Sequence, residues 1–141
     1  MLDQETMYHF RYKMTLRVWH PSLTAAEIEN SLGQKAQVTQ TAGDKRISPA
    51  GHPLDGTYKE TYCSFGGHAL DTESESIESA INRIIHDLES KTGFQKIMDS
   101  DGKVELFLGL FANRNIAMTL PPALLLKAGQ AGVHIALDIY P

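Results

Sequence analysis

The sequence predicts an α+β fold: a mostly antiparallel sheet of five to six strands with two to three helices on one face. Three observations predict it. Residues 8–19 and 133–140 alternate apolar and polar side chains with period two, so each is a strand with one buried and one wet face. A wet face favours an antiparallel sheet over a parallel one covered on both sides. Residues 72–93 carry apolar side chains at helical spacing, and helical and extended segments interleave in the order β-α-(β)-β-α-β-β-α-β. That order suits helices layered on one sheet, built from split β-α-β units of the ferredoxin type.

The first strand, YHFRYKMTLRVW (8–19), places Tyr8, Phe10, Tyr12, Met14, Leu16 and Val18 inward and His9, Arg11, Lys13, Thr15 and Arg17 outward. LTAAEIENSLG (23–33) is a short helix with Thr24 as N-cap, Glu27 completing a capping box, Leu23 and Ile28 as a hydrophobic staple, and Gly33 as the left-handed closing residue. A weak strand surrounds Val38. Residues 42–57 hold three glycines and two prolines and read as a flexible loop. YKETYCSF (58–65) is a strand with Thr61, Cys63 and Phe65 on one face and Tyr58, Glu60 and Tyr62 on the other. The helix at 72–93 buries Ile77, Ala80, Ile81, Ile84, Ile85 and Leu88, turns His86 to water, and gathers Asp71, Glu73, Glu75 and Glu78 at the positive end of its dipole. After a turn at DSDG (99–102), KVELFLGLF (103–111) is apolar on both faces and reads as a central strand. IAMTL (116–120) is a further strand, and PPALLLKAGQAG (121–132) a helix opened by prolines. VHIALDIY (133–140) closes the chain with Val133, Ile135, Leu137 and Ile139 inward.

With 141 residues, the sequence describes a single domain, 1–141, large enough for one core. A formal charge of −4 provides no global basic field for nucleic acid or an anionic membrane. The one cysteine forms no internal disulfide, the opening MLDQETMYHFRYK lacks the apolar core of a signal peptide, and no apolar run approaches the ~20 residues of a membrane span. The expectation is a cytoplasmic protein with no cofactor, monomeric or homodimeric.

The opening strand, LTAAEIENSLG, the Gly-containing loop, the strand holding Tyr62, the helix SIESAINRIIHDLE and the closing AGVHIALDIY together resemble the bacterial domain-of-unknown-function family numbered 4279, across roughly residues 10–140. The family places a tryptophan in the middle strand, where this chain has Tyr58 or Tyr62. The resemblance implies a small bacterial cytoplasmic protein and an immunity role, in which a toxin is neutralised. It implies no catalytic residues.

Chemistry concentrates in GHPLDGTYKETYCSFGGH (51–68), which holds His52, Cys63 and His68. Their spacings do not match the short repeated Cys and His intervals of a zinc site. A Cys63–His68 nucleophile pair meets the wrong electrostatics, because Glu60, Asp71 and Glu73 disfavour the thiolate. SFGGHALD lacks P-loop and Rossmann signatures, and DSDGKVE lacks the twelve-residue ligand series of a calcium loop. The outward face of the sheet carries Arg11, Lys13 and Arg17 on the first strand and His134, Asp138 and Tyr140 on the last. Were those strands neighbours, an Arg17–Asp138 pair would form. Trp19 continues that face, where an aromatic either covers an edge or anchors a partner. RNA-binding sheets need stacking aromatics exposed on central strands, a motif not evident here.

The resulting expectation is a non-catalytic protein-binding module with no nucleic-acid or membrane partner. Its contact residues would be the acidic Asp71, Glu73, Glu75 and Glu78 together with Trp19 and Arg17. The alternative is a small ligand- or metal-binding protein or enzyme using His52, Cys63 and His68.

Overall fold

A computed structural model describes residues 8–141, apart from the side chain of His68. Seven strands and four helices follow in the order β1 (Arg11–His20), α1 (Ala25–Leu32), β2 (Val38–Gln40), β3 (Lys45–Ile47), β4 (Pro53–Thr57), β5 (Thr61–Asp71), α2 (Ile77–Ser90), α3 (Thr92–Asp99), β6 (Lys103–Phe111), α4 (Pro122–Ala131) and β7 (Val133–Tyr140). Among the described residues, five strands form one sheet in the order β2-β5-β1-β6-β7, and β3 and β4 pair separately. Every pairing in the main sheet is antiparallel except β6 with β7. The strand β5 therefore lies between β1 and β2, which run in the same direction, and β1 lies between β5 and β6, which also run together. These are two split β-α-β units, closed by α1 and by α2–α3, and β6-α4-β7 adds a parallel unit at one edge.

The period-two pattern of β1 works as expected from Phe10 onward. Phe10, Tyr12, Met14, Leu16 and Val18 are buried, at 9% exposure or less, and meet Val104, Leu106, Leu108 and Leu110 of β6 beneath the helices. Burying each such side chain fully is worth roughly 1.5–3 kcal/mol. Tyr8 departs from the expectation: it precedes the strand and is exposed, with the Arg114 guanidinium over its ring. Tyr12 brings a hydroxyl into the core, and it donates to the Glu75 carbonyl at 2.8 Å, just ahead of α2. Tyr12→Phe removes that bond and should lower stability by about 1 kcal/mol in urea denaturation.

Local sequence explains the helix boundaries. The Thr24 hydroxyl accepts the Glu27 N–H, and Gly33 closes α1 at φ 64°, a left-handed conformation that glycine adopts without a Cβ penalty. The long helix expected over 72–93 begins later, because Ser76 caps it by accepting the Ser79 N–H. It ends at Ser90, where an extended Lys91 turns the chain into the unanticipated α3. Gly93, at the start of α3, rests against α1, where an added Cβ would lie 2.3 Å from the Ser31 carbonyl oxygen. Pro122 opens α4 and a left-handed Gly132 closes it.

Four departures have physical causes. Residues 42–57, expected to be a loop, contain the β3–β4 hairpin, and Tyr58 fastens it by donating to the Ile47 carbonyl and accepting the Ile47 N–H, both at 3.1 Å. The strand expected to stop at residue 65 runs on to Asp71, because the glycines accommodate a bulge: Lys13 faces Ala69 while Thr15 faces Gly66, giving β5 one extra residue. Segment 116–120 is not a strand. The chain crosses there from β6 to α4, and Ile116, Met118 and Leu120 pack on the core without a ladder partner. On β7, Val133 is buried but Leu137 and Ile139 are 46% and 64% exposed, since this edge strand outruns the helix beside it. No described helix is long and apolar enough to cross a membrane.

Candidate functional site

The helix-free face of the sheet gathers side chains far apart in sequence. Period-two alternation sends Arg17 and Trp19 of β1 to this face, while register sets Tyr62 of β5 opposite Trp19 and Glu105 of β6 opposite Arg17. Phe107 follows two residues after Glu105. The Trp19 and Tyr62 rings lie 5.3 Å apart, tilted by 43°. The Arg17 guanidinium lies 4.9 Å from the ring centres of both Trp19 and Phe107, and the Lys103 ammonium is 4.9 Å from Trp19. Arg17 also meets Glu105 at 3.5 Å, and its Nε finds no acceptor among the described residues. All three rings are half-buried.

Two sequence-based expectations change here. The Arg17–Asp138 pair does not form: β6 separates β1 from β7, and Glu105 takes the aspartate's place. Aromatics do stand on the open face of central strands, in Trp19, Tyr62 and Phe107. Phe107 was hidden because 103–111 is apolar on both faces, and only its register beside Thr15 reveals the side it takes. Arg11 and Lys13, both exposed, extend the row along β1. Although the chain is acidic overall, Arg11, Lys13, Arg17 and Lys103 stand on this face beside the aromatic rings, interspersed with Asp71, Glu105 and Asp138.

The segment with two histidines and the cysteine is dispersed. Cys63 is fully buried on the core side, its thiol directed at the Ala25 carbonyl of α1 at 3.9 Å. Burial, with Glu29 nearby, pushes its pKa up to about 11, so the nucleophilic thiolate is suppressed. His52 is exposed in the turn joining β3 to β4. The side chain of His68 lies outside what the structure describes, and among the described residues no three His, Cys, Asp or Glu side chains gather as metal ligands.

The histidine that matters structurally is His20, only 1% exposed. Its Nδ1 accepts the N–H groups of Ser22 and Leu23 at 3.0 and 2.8 Å, so its proton resides on Nε2, which donates to Ser100 Oγ at 2.8 Å. The Ser100 hydroxyl donates onward to the Lys96 carbonyl at 2.6 Å. This neutral ring ties the β1–α1 turn to the end of α3. A period-two extension of β1 to residue 20 was the available signal, since His20 shares the parity of Val18.

The acidic residues do not share one helix start. Asp71 ends β5 and accepts the Glu73 N–H at 2.8 Å, and Glu75 precedes the helix and binds Arg83 through two bonds of 2.9 and 3.1 Å. That pairing holds the Glu75 carboxyl below its ordinary range. Only Glu78 lies in the first turn of α2. Asp71 lies opposite Arg11, six residues along β1 from Arg17 and eight from Trp19, so the two candidate groups stand about 20–26 Å apart at 3.3 Å per residue. Glu73→Lys and Glu78→Lys should leave thermal stability unchanged within about 0.5 kcal/mol, whereas Glu75→Lys, which sets two cations together, should lower it by about 1 kcal/mol.

A cleft of about 300 Å³ opens between α2 and the bulge of β5, lined by Phe65, Gly67, Arg83, Ile84 and Leu88 among others. Its rim cations are committed, Arg83 to Glu75 and Lys91 to Asp87.

The chain belongs to the family described as Domain of unknown function (DUF4279), whose sequence model matches residues 10–141. No curated protein and no solved structure matches it.

Proposed function

We propose that this domain is a non-catalytic protein-binding module that receives an acidic protein surface on the open face of its sheet. The observation that carries the reading is the row Trp19, Arg17, Phe107 across β1 and β6, with Tyr62 and Lys103 beside it. Tryptophan, tyrosine and arginine at the centre of an uncovered surface are the residue types that dominate binding energy in protein interfaces. The rings already have cations over their faces, which favours edge and side contacts with a protein over stacking of nucleobases. The cations Arg11, Lys13, Arg17 and Lys103 select acidic partners through complementary charge, which also speeds encounter. The buried, high-pKa Cys63 supports a role without nucleophilic chemistry. Occlusion of a toxin in the manner of an immunity protein is the form of this role that the family resemblance suggests, with the bacterial cytoplasm as its setting.

The test compares partner capture by the wild-type chain, by Trp19→Ala with Arg17→Ala, and by Glu73→Lys with Glu78→Lys, each checked for an intact melting transition. The double alanine variant should lose the partner, with affinity reduced at least 30-fold, about 2 kcal/mol. The acidic-side variant should keep it. Loss only in the acidic-side variant would move the site to the start of α2, and equal capture by all three would overturn the reading.

A further inference from the structure

The residue that follows Trp19 is His20, and its hydrogen bonds join the two chain segments that carry one end of the open-face site. We propose that His20 is an acid-released latch on that site: neutral, it holds Trp19 and Lys103 in the arrangement that meets an acidic partner, and protonated, it releases them. The inference rests on the reading of the open face as the partner site.

The latch closes a ring of contacts. His20 ends β1 on the core side of the sheet, opposite the uncharged Thr61 of β5. Its Nε2 donates to Ser100 Oγ at 2.8 Å, three residues before β6 begins at Lys103. Register sets Lys103 opposite Trp19, with the ammonium 4.9 Å from the ring. Trp19, His20, Ser100 and Lys103 thus brace one another. The turn inside this ring is strained. Asp101 has φ 71°, a left-handed conformation that costs energy for a residue with a Cβ. Gly102 is pressed on Ile97, where an added Cβ would lie 2.5 Å from the Ile97 carbonyl oxygen.

A proton does not fit this arrangement. Nδ1 accepts the Ser22 and Leu23 N–H groups, so protonating it sets three donors against one another. The ring is 1% exposed, and a charge there has no water to solvate it. Two carboxylates act on it, Asp101 from the turn after α3 and Glu27 from α1, and burial outweighs both. Lys96 of α3 meets Ser100 through its carbonyl. An imidazolium that swings out of the turn gains Asp101 as counter-ion, frees Ser100 and lets Asp101 relax. The element therefore has two arrangements, neutral and tied to Ser100, or charged and turned toward Asp101. His134, opposite Glu105 on the open face, also gains charge on acidification, but that strengthens attraction to an acidic partner and opposes the latch.

Trp19, the single tryptophan, reports on the latch without a partner. Its emission and acrylamide quenching are followed in the full chain from about pH 7.5 to about pH 4.5, and binding of a deca-aspartate peptide is measured over the same range. Below about pH 6.5 the quenching constant should rise about twofold in one step while circular dichroism stays native. His20→Asn keeps an acceptor near the place of Nδ1 and takes up no proton, so the step should vanish in it. Affinity for the peptide should fall about tenfold more in the wild type than in His20→Asn, a comparison that cancels the titration of the peptide itself. Asp101→Asn, at an exposed position where asparagine tolerates the left-handed turn, removes the counter-ion and should move the step to lower pH. That variant decides if His20→Asn does not fold. A Trp19 signal flat to about pH 4.5, a step that persists in folded His20→Asn or stays in place in Asp101→Asn, or an equal loss of affinity in wild type and His20→Asn would each overturn the latch. The reading beneath it fails separately: at about pH 7.5 the peptide should bind the wild type more tightly than Arg17→Ala, and equal binding there would remove the site itself.

Discussion

Gly93→Ala is expected to destabilise the fold by about 3 kcal/mol, at the upper end for adding a methyl group to a packed site. The cause is the crossing of α3 over α1. A Cβ at residue 93 would sit 2.3 Å from the Ser31 carbonyl oxygen and 2.5 Å from its Cα, and both are backbone atoms that cannot swing aside. The helices would have to separate, loosening Leu32, Phe94 and Ile97, which are buried in the shared core. Gly129→Ala is the matching control. It lies inside α4 with open space around its Cβ position, so the same substitution should stabilise the protein by about 0.5–1 kcal/mol through helix propensity alone. Urea unfolding of the two variants should therefore shift in opposite directions.

His20→Ala should cost about 3 kcal/mol at neutral pH. It leaves the Ser22 and Leu23 N–H groups without their acceptor, removes the acceptor role of Ser100 toward the ring, and opens a cavity where a nearly inaccessible side chain stood. Burial lowers the His20 pKa from its ordinary 6.5, against the weaker opposing pull of Asp101 and Glu27. A lowered pKa means that the unfolded chain binds the proton more readily than the folded one. The contribution of the neutral ring is thus complete above about pH 6.5 and declines as the pH falls from there through the lower folded-state value. The stability gap between wild type and His20→Ala, measured by denaturation across pH, should be widest at neutral pH and narrow on acidification. A gap that widened toward acid would contradict the neutral tautomer that the two backbone donors impose.

Legibility in the sequence followed the range of the forces involved. Period-two alternation on β1 and the stripe on α2 record which face each element buries, and the five buried residues from Phe10 to Val18 could be read from spacing alone. The cap at Thr24 and the closure at Gly33 are local chemistry and equally readable. Strand order is not local. Arg17 carries no mark that its partner is Glu105 rather than Asp138, since that depends on β6 entering between β1 and β7. Glycines and prolines at 42–57 read as loop, yet Tyr58 supplies the bonds that turn the segment into a hairpin. The alternation of β7 put Leu137 and Ile139 inward with Val133, yet both are exposed, because alternation does not reveal where the covering layer ends. The candidate site was half readable for the same reason. Trp19 and Arg17 stood out by residue type, while Phe107 and Lys103 join them only through register.

Trp19 is the chain's single tryptophan, so its fluorescence reports directly on the centre of the open face. The decisive measurement is the emission and acrylamide quenching of Trp19 during titration with the captured partner. A binding site on this face predicts a saturable spectral shift and protection from quenching, lost when Arg17 is replaced by alanine. A partner that binds while the emission and quenching of Trp19 stay unchanged would show that the open sheet face is not where this protein meets it.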